Sequence, residues 1–352
     1  MIIKESKHKR ELIKYGVVIL TSILIIAAIV VPLPYYVEVP GSAENVADVI
    51  TVDKKHDKSE GSFMLTTVGI RRGTLATLLT AKVLPFQEII AKQDLMGDSD
   101  DKEYERLSDL EMSNSENMAK KVALDLADEP YKLDYKGVYV MSVLEDSDFK
   151  DKIEPGDIIY QVDDLTFKHA DEFMNYIAAK KKGDKLTIHF ERDKKKQKVE
   201  GKMIELSDQK KTGIGITLID HTEIDSERDI TISVSDIGGP SAGLMFTLQL
   251  YDLLAKEDLK KGREIAGTGT IKPDGSVGSI GGIDKKVVAA DKMGATVFFA
   301  PNEPLDKDVK KANPEMKNNY EEAVEAAKKI KTSMKIIPVL TAEDAIKYLK
   351  EK

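Results

Sequence analysis

The chain has 352 residues, 41% of them hydrophobic, enough to build two or three cores. Its net charge of −8 excludes a broadly basic nucleic-acid surface. Cysteine is absent, which removes disulfide frameworks, catalytic thiols, thiolate metal sites and lipoprotein anchors, and the five scattered histidines offer no metal-ligand spacing.

Residues 1–14 are basic, with Lys4, Lys7, Lys9, Arg10 and Lys14 against Glu5 and Glu11. Residues 15–33 are then uncharged and apolar, about long enough to cross a bilayer as a helix. The preceding Lys and Arg excess places the N-terminus in the cytoplasm and everything after the span outside. Tyr35 and Tyr36 fall at the far interface. A cleaved signal peptide is the rival reading. The run exceeds the usual apolar region of such peptides, and no small-x-small site directly follows it. An uncleaved, single-pass anchor over residues 1–34 is therefore expected.

Residues 35–129 read as a mixed α/β segment with no legible chemistry. The pattern predicts a strand at 61–68 and an apolar helix at 75–90, broken near Pro85. An acidic, solvated stretch is expected at 98–111, then helical periodicity through Met118, Val122 and Leu126. This segment is expected to pack on the C-terminal core as its early part, with the next module inserted between the halves.

Residues 130–205 resemble a PDZ domain. Gly137-Val138-Tyr139-Val140 is similar to the loop and strand that receive a peptide's carboxylate, and Ile153-Glu154-Pro155-Gly156-Asp157 to the turn that follows. A helix at 169–180 and an alternating strand at 186–190 complete the pattern. The resemblance implies peptide capture by β-augmentation, in which an extended chain joins an open sheet edge.

Residues 206–352 carry the chemistry. Segments 213–216 and 229–234 read as strands leading into Gly238-Gly239-Pro240-Ser241-Ala242-Gly243, and an apolar helix leaves that turn. Ser241 sits where turn becomes helix, a place that suits either a nucleophile beside free N–H groups or an ordinary N-cap. Gly239-x-Ser241-x-Gly243 also fits the α/β-hydrolase elbow. That fold needs a histidine after the serine, and all five here precede it. His221 lies in the polar run Asp220-His221-Thr222-Glu223, read as a solvated turn. Lysine can serve as the base when burial depresses its pKa. After Gly281-Gly282, Lys286 shares a helical face with Ile283, Ala289, Ala290 and Met293, whereas Lys285 is expected on a charged, wet face with Lys292. Residues 275–281 read as a hairpin rather than a phosphate cradle.

The blocks GGPSAG and GGIDKKVVAA resemble the two catalytic blocks of the Lon-type serine proteases, which use a Ser–Lys dyad. The resemblance implies Ser241 as nucleophile, Lys286 as general base, and Thr268 as an orienting partner. Gly239 and Pro240 fall at the oxyanion-side turn. Relatives often carry an acid just before the serine, whereas here the nearest is Asp236. No Walker A motif is present, since the Gly201-Lys202 pair is followed by Met203. The expected fold class is thus α+β multidomain, with a transmembrane helix, a β-rich PDZ domain and a Lon-type α/β proteolytic domain.

The layout resembles the membrane-bound PDZ–Lon proteases of Gram-positive bacteria, including the pheromone-processing family. It implies an ATP-independent extracytoplasmic endopeptidase that cleaves extended peptide or protein substrates without cofactor or metal. Relatives of the proteolytic domain often form rings, so a homo-oligomer stays open. A non-catalytic adaptor that binds peptides through the PDZ domain is the alternative.

Overall fold

The computed structural model describes residues 2–97, 99–206, 211–235 and 237–352, with 2–12 as helix backbone only. The expectations placed on Asp98, on Asp236 and on the charges of residues 4–11 lie outside the described residues.

Continuous apolar runs such as Phe63-Met64-Leu65 and Val297-Phe298-Phe299 suit strands covered on both faces. They form the middle of a six-stranded sheet in the order Lys335–Val339, Val297–Pro301, Glu264–Gly267, Ser62–Arg72, Tyr35–Asn45, Glu88–Ala91. The first four strands are parallel, and the last two join antiparallel. Period-two alternation splits the core into two layers. Phe63, Leu65, Ile265, Val297 and Phe299 pack under the helices Asp101–Leu126 and Gly243–Ala255. Met64, Ala266, Phe298 and Ala300 pack under Ile283–Lys292 and Asn319–Ile330. The Gly243–Ala255 helix is mostly apolar and buried along almost its whole length, and its buried Asp252 is paired with Lys260 at 2.9 Å.

Two local expectations change. Residues 75–90 form a short helix, Leu75–Ala81, capped by Thr74, and then the edge strand Glu88–Ala91. Pro85 lacks an N–H and keeps Leu84 out of the helical region, so the apolar run divides there. The acidic stretch and the later periodic segment are one helix, Asp101–Leu126. Asp100 caps it by accepting from the N–H groups of Lys102 and Glu103, each at 2.9 Å. Met112, Ser115, Met118, Ala119 and Val122 are its buried stripe, and charges on the outer face hid that period.

A second sheet runs Ile216–Ser226, Tyr131–Val143, Ile158–Val162, Lys185–Arg192, Lys195–Lys202, with the helix Ala170–Ala178 beside it. Its core holds Val138, Val140, Phe149, Ile159, Phe173, Ile188 and Phe190. The expected boundary at 205/206, with strands leading directly to Ser241, does not match this pairing. Ile216–Ser226 is bonded along its length to Tyr131–Val143, and Ile214, Ile216 and Leu218 pack into this core. Those apolar side chains find their cover there, so the strand stays with the inserted sheet. Ile230–Ile232 then pairs with Ile50–Val52, back on the first domain.

At the N-terminus the helix Ile2–Val30 contains one stretch, Ile13–Val30, long and apolar enough to cross a membrane. None of that stretch is buried against the rest of the chain.

Candidate active site

The Ser241 turn and the Lys286 helix come from opposite faces of the large sheet and meet beyond the end of Glu264–Gly267. Ser241 lies in the 3-10 turn Pro240–Ala242 that opens the buried Gly243–Ala255 helix. Lys286 lies in the first turn of Ile283–Lys292. Lys286 Nζ donates to Ser241 Oγ at 2.6 Å and to Thr268 Oγ1 at 3.0 Å. Thr268, the residue after the strand, donates its hydroxyl to the Ser241 carbonyl at 3.1 Å, and the Gly269 N–H reaches the same oxygen at 2.9 Å. Thr268 therefore fixes both partners, the lysine through its side chain and the serine through its backbone.

Lys286 is 3% exposed, and burial lowers its pKa to about 7, with the Glu38 carboxylate pulling weakly the other way. At neutral pH a substantial fraction of the amine is then uncharged, with a lone pair able to accept a proton. The Ser–Lys pair lines a cleft of about 1020 Å³. One wall is the strand stretch from Thr66 to Ile70, which lies beyond its pairing with Glu264–Gly267, and Leu107, Glu111 and Met112 of the long helix form another.

That long helix holds the Ser241 turn, a role the sequence did not announce. The Gly239 N–H donates to the Ser108 carbonyl at 2.9 Å, and Ser115 Oγ donates to the Pro240 carbonyl at 3.0 Å. Ser108 and Ser115 are seven residues apart, hence on one helix face. A Cβ at Gly238 would lie 2.1 Å from Ser108 Oγ, so the close approach needs glycine there. The only sequence signal was a pair of small hydroxyl residues at heptad spacing. The Gly239 bond also corrects the oxyanion expectation. Its N–H is already committed, Pro240 has none, and the Ala242 N–H closes the 3-10 turn onto the Gly239 carbonyl, which leaves the Ser241 N–H as the donor at this turn.

Three further expectations change. Lys285 is not wet: it is 2% exposed, and its Nζ reaches Glu88 at 2.8 Å, Glu38 at 3.3 Å and Asp284 at 3.3 Å. His221 is no solvated turn but a buried strand residue stacked on Tyr139, its Nε2 3.0 Å from the Tyr139 hydroxyl, and burial lowers its pKa. Gly137, Val138, Tyr139 and Val140 lie in an interior strand. Val138 and Tyr139 pair with Asp220 and Ile219 on one side and with Ile159 and Ile158 on the other. Val140 pairs with Leu218, and its N–H donates to Asp157 O at 2.9 Å. No edge is left there for a peptide. The strand at the end of that sheet is Ile216–Ser226, preceded by Gly213-Ile214-Gly215 and next to the helix Ala170–Ala178, whose Ala170 N–H donates to Asp220 Oδ1 at 2.8 Å. The glycine-apolar alternation of 213–216 was the available signal.

A hydroxyl beside a desolvated amine, over the end of a parallel strand in an α/β sheet, is the layout of a serine peptidase domain. More particularly, residues 221–349 match the family model of the Lon protease (S16) C-terminal proteolytic domain, and residues 110–203 match that of the PDZ domain. The chain carries both, and its proteolytic domain is that of a Lon-type serine peptidase. It is 33% identical over 109 residues to a Lon protease of Campylobacter concisus, covering 31% of this chain and 12% of that one. A Lon protease of Metamycoplasma arthritidis is 30% identical over 113 residues, covering 32% and 12%. The chain thus spans about 12% of the length of these curated relatives. The PDZ domain of an SdrC-like protein from Listeria monocytogenes is 39% identical, covering 25% of this chain and 93% of that one, with a TM-score of 0.24.

Proposed function

We propose that this protein is a membrane-anchored, ATP-independent serine endopeptidase that cleaves extended peptides outside the cell, with Ser241 and Lys286 as its catalytic residues. The observation that carries the reading is the 2.6 Å contact between the Ser241 hydroxyl and a Lys286 amine whose pKa burial holds near 7. Neutral Lys286 takes the Ser241 proton as Oγ attacks the scissile carbonyl. The Ser241 N–H at the start of the turn receives the developing oxyanion. Lys286 then gives its proton to the leaving amine, and an acyl-enzyme remains. Water attacks that ester, Lys286 accepts its proton, and the proton returns to Ser241 as the acid leaves. Thr268 keeps the amine aimed throughout.

The PDZ domain supplies a second contact with substrate: an extended chain end pairs with the open edge of Ile216–Ser226, with its terminal carboxylate at the Gly213–Gly215 loop. Ile13–Val30 spans the membrane, and the basic residues before it keep the N-terminus in the cytoplasm. Resemblance to the pheromone-processing PDZ–Lon proteases of Gram-positive bacteria favours limited cleavage of a secreted peptide. The reading is tested with an unstructured peptide incubated with wild type, Ser241→Ala and Lys286→Ala. Cleavage should vanish in both variants. Undiminished cleavage by either variant sinks the dyad, and specific capture without cleavage by wild type favours the adaptor.

A further inference from the structure

We propose that residues 70–84 form a lipid-docking foot, a second membrane contact that seats the body of the protein on the bilayer. The inference rests on the reading of Ile13–Val30 as a membrane span. The last helical residue of that segment is Val30, and the first strand of the body begins at Tyr35. Four residues reach at most about 14 Å, so the face beside the span stands at the lipid headgroups. The joint is braced as well as short. The Leu33 N–H donates to Gly73 O at 2.8 Å, the Gly73 N–H to Tyr35 O at 2.7 Å, and the Lys92 N–H to Pro34 O at 3.1 Å. The helix Leu75–Ala81 packs against the anchor helix itself.

That face is apolar where a protein facing water would be polar. Leu75 and Leu79, one helical turn apart, are 52% and 57% exposed, and Val83 and Leu84 continue the patch at 82% and 49%. Exposed Ile70 and Tyr35 adjoin it in sequence or pairing. Exposed large apolar side chains elsewhere, such as Leu133, Leu144, Met174 and Met293, are spread singly through the sequence, which needs no partner. Exposed Arg71 and Lys82 flank the patch, the pattern of an interfacial element on anionic lipid. Continuity with the span, the flanking cations and the width of the apolar face together specify a lipid surface as the occupant. Ile70 also lines the catalytic cleft, so a seated foot brings the mouth of the cleft down to the membrane interface.

The absence of native cysteine allows single labelling sites in the full chain. An environment-sensitive fluorophore is placed through Leu79→Cys, Val83→Cys, Ile19→Cys or Met293→Cys, and each protein is reconstituted into nanodiscs with brominated anionic lipid. The foot predicts quenching at positions 79 and 83 at least about threefold stronger than at 293, approaching that at 19. Quenching at 19 but not at 79 or 83 overturns the foot while leaving the anchor intact. No quenching at 19 overturns the anchor, and the foot falls with it. Excimer emission from pyrene at position 79, formed between two copies and insensitive to lipid, assigns the patch to a second copy of the chain and also overturns the proposal.

Discussion

Replacing Lys286 by methionine should abolish cleavage and yet make the protein more stable, by an amount that depends on pH in a calculable way. In the folded chain the Lys286 pKa lies near 7, against 10.5 for the ordinary side chain, because burial removes the amine from water. A lysine with a depressed folded pKa costs nothing above the unfolded value. It costs progressively more as pH falls between the two values, and the full amount below the folded one. At about 1.36 kcal/mol per unit, the cost is roughly 4 kcal/mol near pH 7 and about 1.5 kcal/mol near pH 9.5. Methionine fills similar volume without charge, and the lost hydrogen bonds to Ser241 and Thr268 return about 1–2 kcal/mol of the gain. Lys286→Met should therefore be more stable by about 2–3 kcal/mol near pH 7, with the advantage shrinking by roughly 3 kcal/mol towards pH 9.5. The assay is urea unfolding of the detergent-solubilised chain, read by hydrogen exchange across Gly243–Ala255 so that the proteolytic half is followed alone. A stability difference that does not change with pH would refute a depressed Lys286, and with it the case for a neutral base.

The same chemistry makes the acidic limb of the kcat/KM profile fall where Lys286 titrates, with activity rising as pH climbs through about 7. Lys285→Met removes the cation that pairs with Glu38 at 3.3 Å, exposes Lys286 to the full Glu38 charge, and should move the limb up by about half a unit to one unit. Glu38→Gln should move it down, because the Glu38 charge raises the Lys286 pKa. Equal losses at every pH would mean a purely structural role. Ser115→Ala frees the Pro240 carbonyl from its 3.0 Å bond and should cost about 1 kcal/mol, with kcat falling more than KM changes. An unchanged kcat would show that the nucleophile turn needs no brace. Lys260→Met leaves Asp57 and Asp252 without the buried cation they share, and a loss of about 3–5 kcal/mol is expected in the same unfolding assay.

The meeting of Ser241 and Lys286 was readable because the two residues sit in two compact blocks whose shape depends on near neighbours: glycines at the turn, and apolar positions around one lysine. The fold class was readable for a related reason, since buried parallel strands announce themselves as continuous apolar runs. What depended on distant partners was not. Lys285 looked wet because Glu38 and Glu88 lie far upstream in the chain, at the sheet edge. The long helix looked like two segments because its acidic outer face masked a stripe that only the nucleophile helix reveals. Gly137-Val138-Tyr139-Val140 imitated a peptide-receiving loop, but a local motif cannot say which strand ends a sheet. That is decided by pairing with Ile216–Ser226, some 80 residues later.

The large sheet takes Ser62–Arg72 and Tyr35–Asn45 from before the inserted domain and Glu264–Gly267 from after it. A ribosome therefore delivers the two halves of one hydrogen-bonded ladder separated by about 190 residues, and the late half has nothing to zip onto if the early half is lost. A fragment beginning near residue 206 would leave Glu264–Gly267 as a naked apolar margin, ready to pair with its own copies and precipitate. Contacts of such long sequence separation form late. No hydrolytic activity should emerge from the nascent chain until its final strands have docked.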